Sequence, residues 1–325
     1  MKKILGMGNA LVDIMIRLDS DHLLEKLELP KGSMQLVDRE RSSGVLSTFR
    51  DYPKSQSAGG SAANTIHGLA KLGAKTGYIG VVGEDELGGF FVRDLIHAGV
   101  APHMVHSSQE TGRAVALVTP DSERTFATFL GAAIELSAGH LNPDIFKDYQ
   151  YFHIEGYLVQ NHSLIRRALE MAKDAGCLVS LDLASYNVVE ANREFLHEMI
   201  TRYVDIVFAN EEEALVFTGQ GPAEAVNEIS TLVGIAIVKT GSKGSLVKTK
   251  EELHEIGVIP IKPLDTTGAG DLYASGFLFG HSRGLPLKQC GELGALLAGN
   301  VIECMGAKMD QERWERITGS VDFLC

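Results

Sequence analysis

Short runs of uninterrupted apolar residues alternate with segments of helical periodicity along most of this chain, and glycine stops several of those segments. Residues 3–8, 76–81, 178–182, 205–209, 235–239 and 245–248 have the length and character of buried strands. Residues 61–72, 87–98 and 163–175 have helical spacing and end at Gly73, Gly99 and Gly176. Residues 268–280 and 287–304 read as two long helices that bury most of their faces. Strands apolar on both sides must be covered on both sides, and alternating helices supply that cover. The expected fold class is α/β, built on a mostly parallel sheet.

Two stretches break the rhythm. Residues 14–52 and 101–131 carry short alternating segments, such as 113–118 and 125–129, with Pro120, Asp121 and Ser122 as turn residues between them. They are expected to be antiparallel pieces forming a small β-strand lid. No repeat or linker divides the 325 residues. A single domain is therefore expected, with the body at 1–13, 53–100 and 132–325 and the lid at 14–52 and 101–131.

Composition narrows the function. The 30 basic and 42 acidic residues leave a net charge of −12. That balance argues against nucleic acid and against an anionic membrane surface, since both need basic patches. It leaves room for a phosphate ligand, which backbone N–H groups can hold. Cys177, Cys290, Cys304 and Cys325 form neither a Cys-x-x-Cys pair nor a zinc-finger spacing, and read as reduced thiols. The apolar N-terminus carries Asn9 and Asp13 and lacks a small-residue cleavage site, and no run reaches the ~18 apolar residues of a membrane span. A cytoplasmic location is expected.

Three segments concentrate the chemistry. In Asp265-Thr266-Thr267-Gly268-Ala269-Gly270-Asp271, small residues leave the backbone bare at a helix start, where free N–H groups and the helix dipole favour an anion. Asp271 sits in the first turn, able to take a proton from a hydroxyl beside that anion, which is the minimum for phosphoryl transfer to an alcohol. The plainer alternative is a glycine-rich turn with a helix-start carboxylate, about as frequent on pattern alone. In Ala58-Gly59-Gly60-Ser61-Ala62-Ala63-Asn64, the glycines admit a polar ligand and Asn64 can donate and accept. The alternative has Ser61 capping a helix whose Asn64 faces solvent. In Gly8-Asn9-Ala10-Leu11-Val12-Asp13, a carboxylate and an amide leave an apolar strand and need partners. A vicinal diol suits Asp13; a strand-end turn suits it equally.

The two glycine segments resemble the two signatures of the PfkB, or ribokinase-like, family of sugar and nucleoside kinases. Residues 265–278 fit the second signature. Gly59, Gly60, Asn64, Gly73 and Gly83 fit the first, which departs at Ile66, where a small residue is usual. Asn210-Glu211-Glu212-Glu213 matches the family's Asn-x-x-Glu motif, and residues 238–244 match its nucleotide-site strand and loop. The resemblance spans essentially the whole chain. It implies a ribokinase-like three-layer α/β/α body and a transferase using ATP and Mg²⁺. It implies Asp271 as the base, and N–H groups of Gly268, Ala269 and Gly270 around the transferring phosphoryl group. Asn9, Asp13, Gly59, Gly60 and Asn64 would bind the acceptor. Asn210, Glu213, Thr240, Gly241 and Gly244 would bind ATP, with Glu213 placing Mg²⁺ through water. Asp265 and Thr267, with carbonyls of Val301, Cys304 and Gly306, would form a monovalent-cation site for K⁺. Lys239 and Lys243 equally suit solvated charges. Arg124 reads as a surface arginine, with the phosphates as its alternative.

Residues 6–14, 30–34 and 155–158 resemble bacterial adenosine-kinase-like proteins, with Leu11, Leu36 and Leu130 placed to flank a base. The expected acceptor is a ribosyl compound, foremost a nucleoside such as adenosine, with a sugar of the ribokinase or fructokinase type as the alternative. The expected partners are this small molecule, neither nucleic acid nor membrane, and at most a second copy through exposed lid strands. A dinucleotide-dependent oxidoreductase would need glycine where Leu11 follows Gly6-Met7-Gly8. A P-loop motif is missing. A non-catalytic relative would have lost Asp271 or the glycines beside it.

Overall fold

A computed structural model describes residues 2–121 and 123–321; Met1, Ser122 and Cys325 lie outside the described residues. The strands, in chain order, are β1 (Ile4–Met7), β2 (Leu11–Arg17), β3 (Met34–Leu36), β4 (Lys54–Gly59), β5 (Thr76–Gly83), β6 (Val100–Ser107) and β7 (Gly112–Val118). They continue with β8 (Arg124–Phe129), β9 (Tyr151–Glu155), β10 (Leu178–Asp182), β11 (Ile206–Asn210), β12 (Ile235–Lys239), β13 (Ser245–Lys248) and β14 (Leu253–Ile256).

Nine strands form the large sheet in the order β14-β13-β12-β11-β10-β9-β1-β5-β6. Pairing is parallel from β12 to β6, and antiparallel only where β13 and β14 add to one edge. Side-chain alternation divides the strands' apolar residues between two cores. Ile4, Tyr78, Val82, Ile206, Phe208 and Ile237 face one core. Leu5, Met7, Ile79, Val81, Val207 and Val238 face the other. Helices at Ser61–Lys71, Glu86–His97, Ala269–Ser282 and Leu287–Val301 cover the first, and helices at His162–Asp174, Tyr186–Tyr203, Glu211–Thr218 and Pro222–Leu232 cover the second. This is the expected three-layer α/β/α body.

A second sheet of five strands, β3-β8-β7-β2-β4, stands apart from the first. Its β7–β8 hairpin pairs Arg113 with Phe129 and Val118 with Arg124. The boundaries expected for this small unit shift in three places. Val100–Ser107 pairs in parallel with β5 over eight positions, so it belongs to the large sheet; its mixed burial is that of an edge strand. Leu11–Asp13 and Lys54–Gly59 pair with each other in the small sheet instead of the body. Residues Arg39–Thr48 form a helix that the alternating pattern hid, opened by Asp38, whose side chain accepts from the Arg41 N–H at 2.8 Å. Strand β9 was also hidden, because His153 and Glu155 interrupt its apolar run, yet it lies fully buried beside β1.

Two close helix contacts set the position of the site. A Cβ at Gly276 would run into the Leu293 carbonyl, and one at Gly68 would lie 2.5 Å from Ser275 Oγ. The Ala269–Ser282 helix is thereby locked against both Leu287–Val301 and Ser61–Lys71. Among the described residues no helix is long and apolar enough to cross a membrane.

Candidate active site

In a parallel sheet the carboxyl ends of the strands open onto the ligand crevice. Here β1 runs out to Asn9, β9 ends at Glu155, β10 at Asp182, β11 at Asn210 and β12 at Lys239. The N-terminus of the Ala269–Ser282 helix stands over this edge. Gly268 caps it with φ at +75°, and a Cβ there would lie 2.5 Å from that of Ala307. Glycine is thus required by both conformation and space. The first-turn N–H groups of this helix carry the positive end of its dipole and lack intrahelical partners by geometry, although that of Ala269 donates to the Thr266 carbonyl at 3.2 Å.

Asp271 lies one turn in. Its Oδ1 accepts from Ser61 Oγ at 2.7 Å and its Oδ2 from Asn64 Nδ2 at 3.0 Å. The helices are also tied through their backbones: Thr65 Oγ1 donates to the Asp271 carbonyl at 3.1 Å, and Ser275 Oγ to the Thr65 carbonyl at 2.8 Å. Burial pushes the Asp271 carboxyl up to about 6, against the pull of the Ser61 and Asn64 hydrogen bonds. It is therefore mostly ionised near neutral pH and still able to take a proton. Ser61 does not cap its helix, and Asn64 does not face solvent; its Oδ1 is buried without a partner among the described residues.

On one side of Asp271 lies a cleft of about 520 Å³ that includes Asn9, Gly60, Ser61, Glu155 and Tyr157. Leu11, Leu36 and Leu130 line it as expected. Met34, Leu36 and Ile134, also on its wall, are 54%, 63% and 66% exposed, unusual values for large apolar side chains grouped in one cleft. Asp13, on β2, stands against Gly59, where a Cβ would overlap its carboxylate. Burial raises the Asp13 carboxyl to about 7, with Lys308 opposing and Asp271 adding to the shift. Gly60 takes φ of +96° with its Cβ position facing the Asn9 carbonyl.

Asn9 has a structural partner that the sequence did not reveal. Its backbone N–H and side-chain amide donate to Glu155 Oε1 at 2.8 and 2.7 Å, while Glu155 Oε2 accepts from the Ala62 N–H at 2.9 Å. Burial raises the Glu155 carboxyl to about 7. Glu155 thus clamps the end of β1 to the start of the Ser61–Lys71 helix.

On the other side of the helix start, a cleft of about 620 Å³ is lined by Asn210, Lys239, Gly241, Gly244, Ala269 and Gly270, among others. Thr240 closes its loop through the Gly244 carbonyl, which accepts from the Thr240 N–H at 2.8 Å and Oγ1 at 3.0 Å. Glu213 is 2% exposed, and both its oxygens accept from Asn210, from the backbone N–H at 2.8 Å and from Nδ2 at 2.7 Å. It is a reciprocal helix cap, and burial, with Asp182 adding, raises its carboxyl to about 7. Lys239 is no solvated charge: its Nζ lies 2.8 Å from Asp182 Oδ2, and a Cβ at Gly270 would come within 3.0 Å of it. Lys243 is solvated, its side chain 82% exposed.

Arg124 is not a surface residue. It is 7% exposed, donates to Thr267 Oγ1 at 2.8 Å, and forms an ion pair with Asp265 Oδ2. Asp265 also accepts from the N–H groups of Thr267 at 3.0 Å and Gly306 at 2.6 Å. The Val301 carbonyl accepts the Cys304 N–H at 2.8 Å. Asp265 and Thr267 therefore do not fit a monovalent cation here, because the guanidinium has taken Thr267 Oγ1 and Asp265 Oδ2 while the Thr267 N–H occupies Asp265 Oδ1.

Sequence reasoning passed over Asp182 and Lys308 and left Ser61 as a cap. The carboxyl end of a parallel strand was the available signal for Asp182. Lys308 gave none; its Nζ is buried without a partner among the described residues, and burial lowers it to about 8, with Asp94, Asp13 and Asp271 pulling the other way.

A helix start between two clefts, with a dipole that favours an anion and a carboxylate of tuned acidity on one side, is an arrangement able to move a phosphoryl group from a donor in one cleft to a hydroxyl in the other. Comparison with known proteins agrees. The pattern of the pfkB family carbohydrate kinases matches residues 43–314. A probable sugar kinase from Rhizobium etli, of known structure, is 35% identical and superposes with a TM-score of 0.89, covering 98% of each chain. The adenosine kinase of Sinorhizobium meliloti is 33% identical with a TM-score of 0.88, covering 100% of this chain and 99% of that one. A nucleoside kinase from Methanocaldococcus jannaschii is 28% identical over 320 residues, 98% of this chain and 96% of that protein. This chain belongs to the pfkB family of carbohydrate kinases and is a phosphotransferase with a hydroxyl acceptor.

Proposed function

We propose that the chain transfers the γ-phosphoryl group of ATP to the hydroxymethyl group of a nucleoside, adenosine being the favoured acceptor. The observation that carries the nucleoside is the apolar wall of the cleft beside Asp271. Met34, Leu36 and Ile134 leave large apolar surfaces exposed there, and such grouped surfaces mark a ligand contact. A free sugar is hydroxylated throughout and would leave them uncovered; a nucleobase has flat apolar faces that match them. The adenosine kinase of Sinorhizobium meliloti supports the same reading.

In this reading Asp13 accepts hydrogen bonds from two ribose hydroxyls, with Gly59, Gly60 and Asn64 leaving room for the sugar. Asn9 acts through Glu155, holding the cleft floor rather than the ligand. Asp271 takes the hydroxymethyl proton as that oxygen bonds to the γ-phosphorus and the bond to the ADP oxygen breaks. A positioned base contributes ~10²–10⁴-fold. The N–H groups of Gly268, Ala269 and Gly270 hold the transferring group, and the Lys239 ammonium, held beneath Gly270 by Asp182, faces the phosphates.

ATP would occupy the cleft lined by Gly241 and Gly244. Mg²⁺ would neutralise the phosphates. The fit is indirect, since no group of three or more His, Cys, Asp or Glu among the described residues is arranged as a metal site. Mg²⁺ commonly keeps its waters and leans on phosphates, and buried Glu213 and Asp182 lend it negative potential. The small sheet acts as a lid over the acceptor, excluding water.

A coupled ADP-release assay with adenosine, other nucleosides, ribose and fructose tests this directly. Adenosine should turn over with the highest kcat/KM. Faster turnover of ribose or fructose than of every nucleoside would sink the nucleoside acceptor while leaving phosphotransfer intact.

A further inference from the structure

Asp265 and Thr267 open the loop that leads into the anion-binding helix start, and the family resemblance assigns them a monovalent cation. Both are instead held by a side chain from the small sheet. Arg124 is the first residue of β8, 143 positions away from Thr267. Its guanidinium donates to Thr267 Oγ1 at 2.8 Å and pairs with Asp265 Oδ2, the two side chains being 7% and 4% exposed. A carboxylate so enclosed needs a positive partner. Two further groups around the loop are also engaged. The Gly306 N–H points at Asp265 Oδ2 from 2.6 Å, and the Val301 carbonyl is engaged by the Cys304 N–H. Arginine suits the task, being permanently charged and able to bond two oxygens from one planar fork.

We propose that the Arg124 guanidinium is a built-in replacement for the monovalent cation, so that this enzyme orders its anion-binding loop and transfers phosphate without K⁺ or Na⁺. The positive charge that steadies the loop then comes from the small sheet, and the loop is in order only when that sheet is in place.

The activity arm of the test rests on the kinase reading; the stability arm does not. The intact protein is compared in KCl and in tetramethylammonium chloride at equal ionic strength, with adenosine as acceptor and ATP supplied as its Tris salt. Wild type should show the same kcat and the same thermal midpoint in both salts. Arg124→Ala should lose about 10²-fold in kcat in tetramethylammonium, the scale of losing one stabilising charge at an anion hole. KCl should restore part of that loss and raise the midpoint of the variant alone. A wild-type midpoint that rises specifically with KCl, or a wild-type kcat that needs it, overturns the proposal. So does an Arg124→Ala protein indifferent to KCl. If that variant fails to fold, the wild-type arms decide. Absence of turnover with every acceptor would sink the kinase reading and leave the midpoint comparison in force.

Discussion

Asn64 donates its side-chain amide to Asp271 Oδ2 at 3.0 Å while its own Oδ1 is buried without a partner among the described residues. An amide in that state can turn over and present its oxygen instead. Asp271→Asn should therefore be accommodated, with Asn64 accepting from the introduced amide and Ser61 still donating to the remaining oxygen. The substitution removes the proton acceptor alone. Turnover should fall by ~10²–10⁴-fold with the thermal midpoint within a few degrees of wild type. A near-normal kcat would remove Asp271 as the base.

If Asp271 is the base, its acidity should set a pH limb. With its carboxyl near 6, kcat should fall as pH drops through about 6, where the base becomes protonated. Ser61→Ala removes a hydrogen bond that favours the ionised form, so the limb should move to higher pH by about one to two units, given ~1.5–3 kcal/mol for a charged hydrogen bond. A kcat profile with no shift in this variant would separate the limb from Asp271.

Asp13 and Gly59 should fail in the same way for different reasons. Asp13→Ala deletes the acceptor for two hydroxyls and should raise the nucleoside KM while leaving the ATP KM unchanged, a loss of a few kcal/mol at ~1.5–3 per charged hydrogen bond. Gly59→Ala puts a methyl where the Asp13 carboxylate lies and should raise the same KM, with about 1–3 kcal/mol of destabilisation from overpacking. Calorimetric titration with adenosine reads both, and unchanged affinity in Asp13→Ala would reduce it to a strand residue of the small sheet with no ligand.

Glu155 should make the fold less stable as pH rises. Its folded carboxyl is raised from 4.5 to about 7, so the folded state binds the extra proton between those values. That contribution is full below about 4.5 and is lost as pH climbs through 7. At about 1.36 kcal/mol for each tenfold change in acidity, it amounts to roughly 3 kcal/mol. Urea midpoints at pH 5 and pH 8 should show the decline in wild type and a flatter dependence in Glu155→Gln, which cannot ionise.

The lid reading has its own measurement. Amide exchange in Leu11–Arg17, Lys54–Gly59 and Gly112–Phe129 should slow when adenosine binds, with the large sheet little changed. Protection spread evenly over both sheets would argue against a lid.

Local chemistry was enough for most of the body of this protein, though not for β9 or for the edge strand Val100–Ser107. Continuous apolar strands, helices stopped by glycine and the small residues at 268–270 each act through their own backbone, so the parallel sheet and the glycine-capped helix start were readable from residue order. The resemblance carried Asp13, Asn64 and Asp271 to one site, and pattern alone left each balanced against an ordinary role. Tertiary structure decided what faces each charge. Glu155 clamps Asn9, Asp182 pairs with Lys239, and Arg124 reaches Asp265 from another sheet. Those partners are separated by tens to more than a hundred positions in the chain. The field around a buried charge depends on which groups folding brings beside it, and spacing along the sequence does not encode that distance.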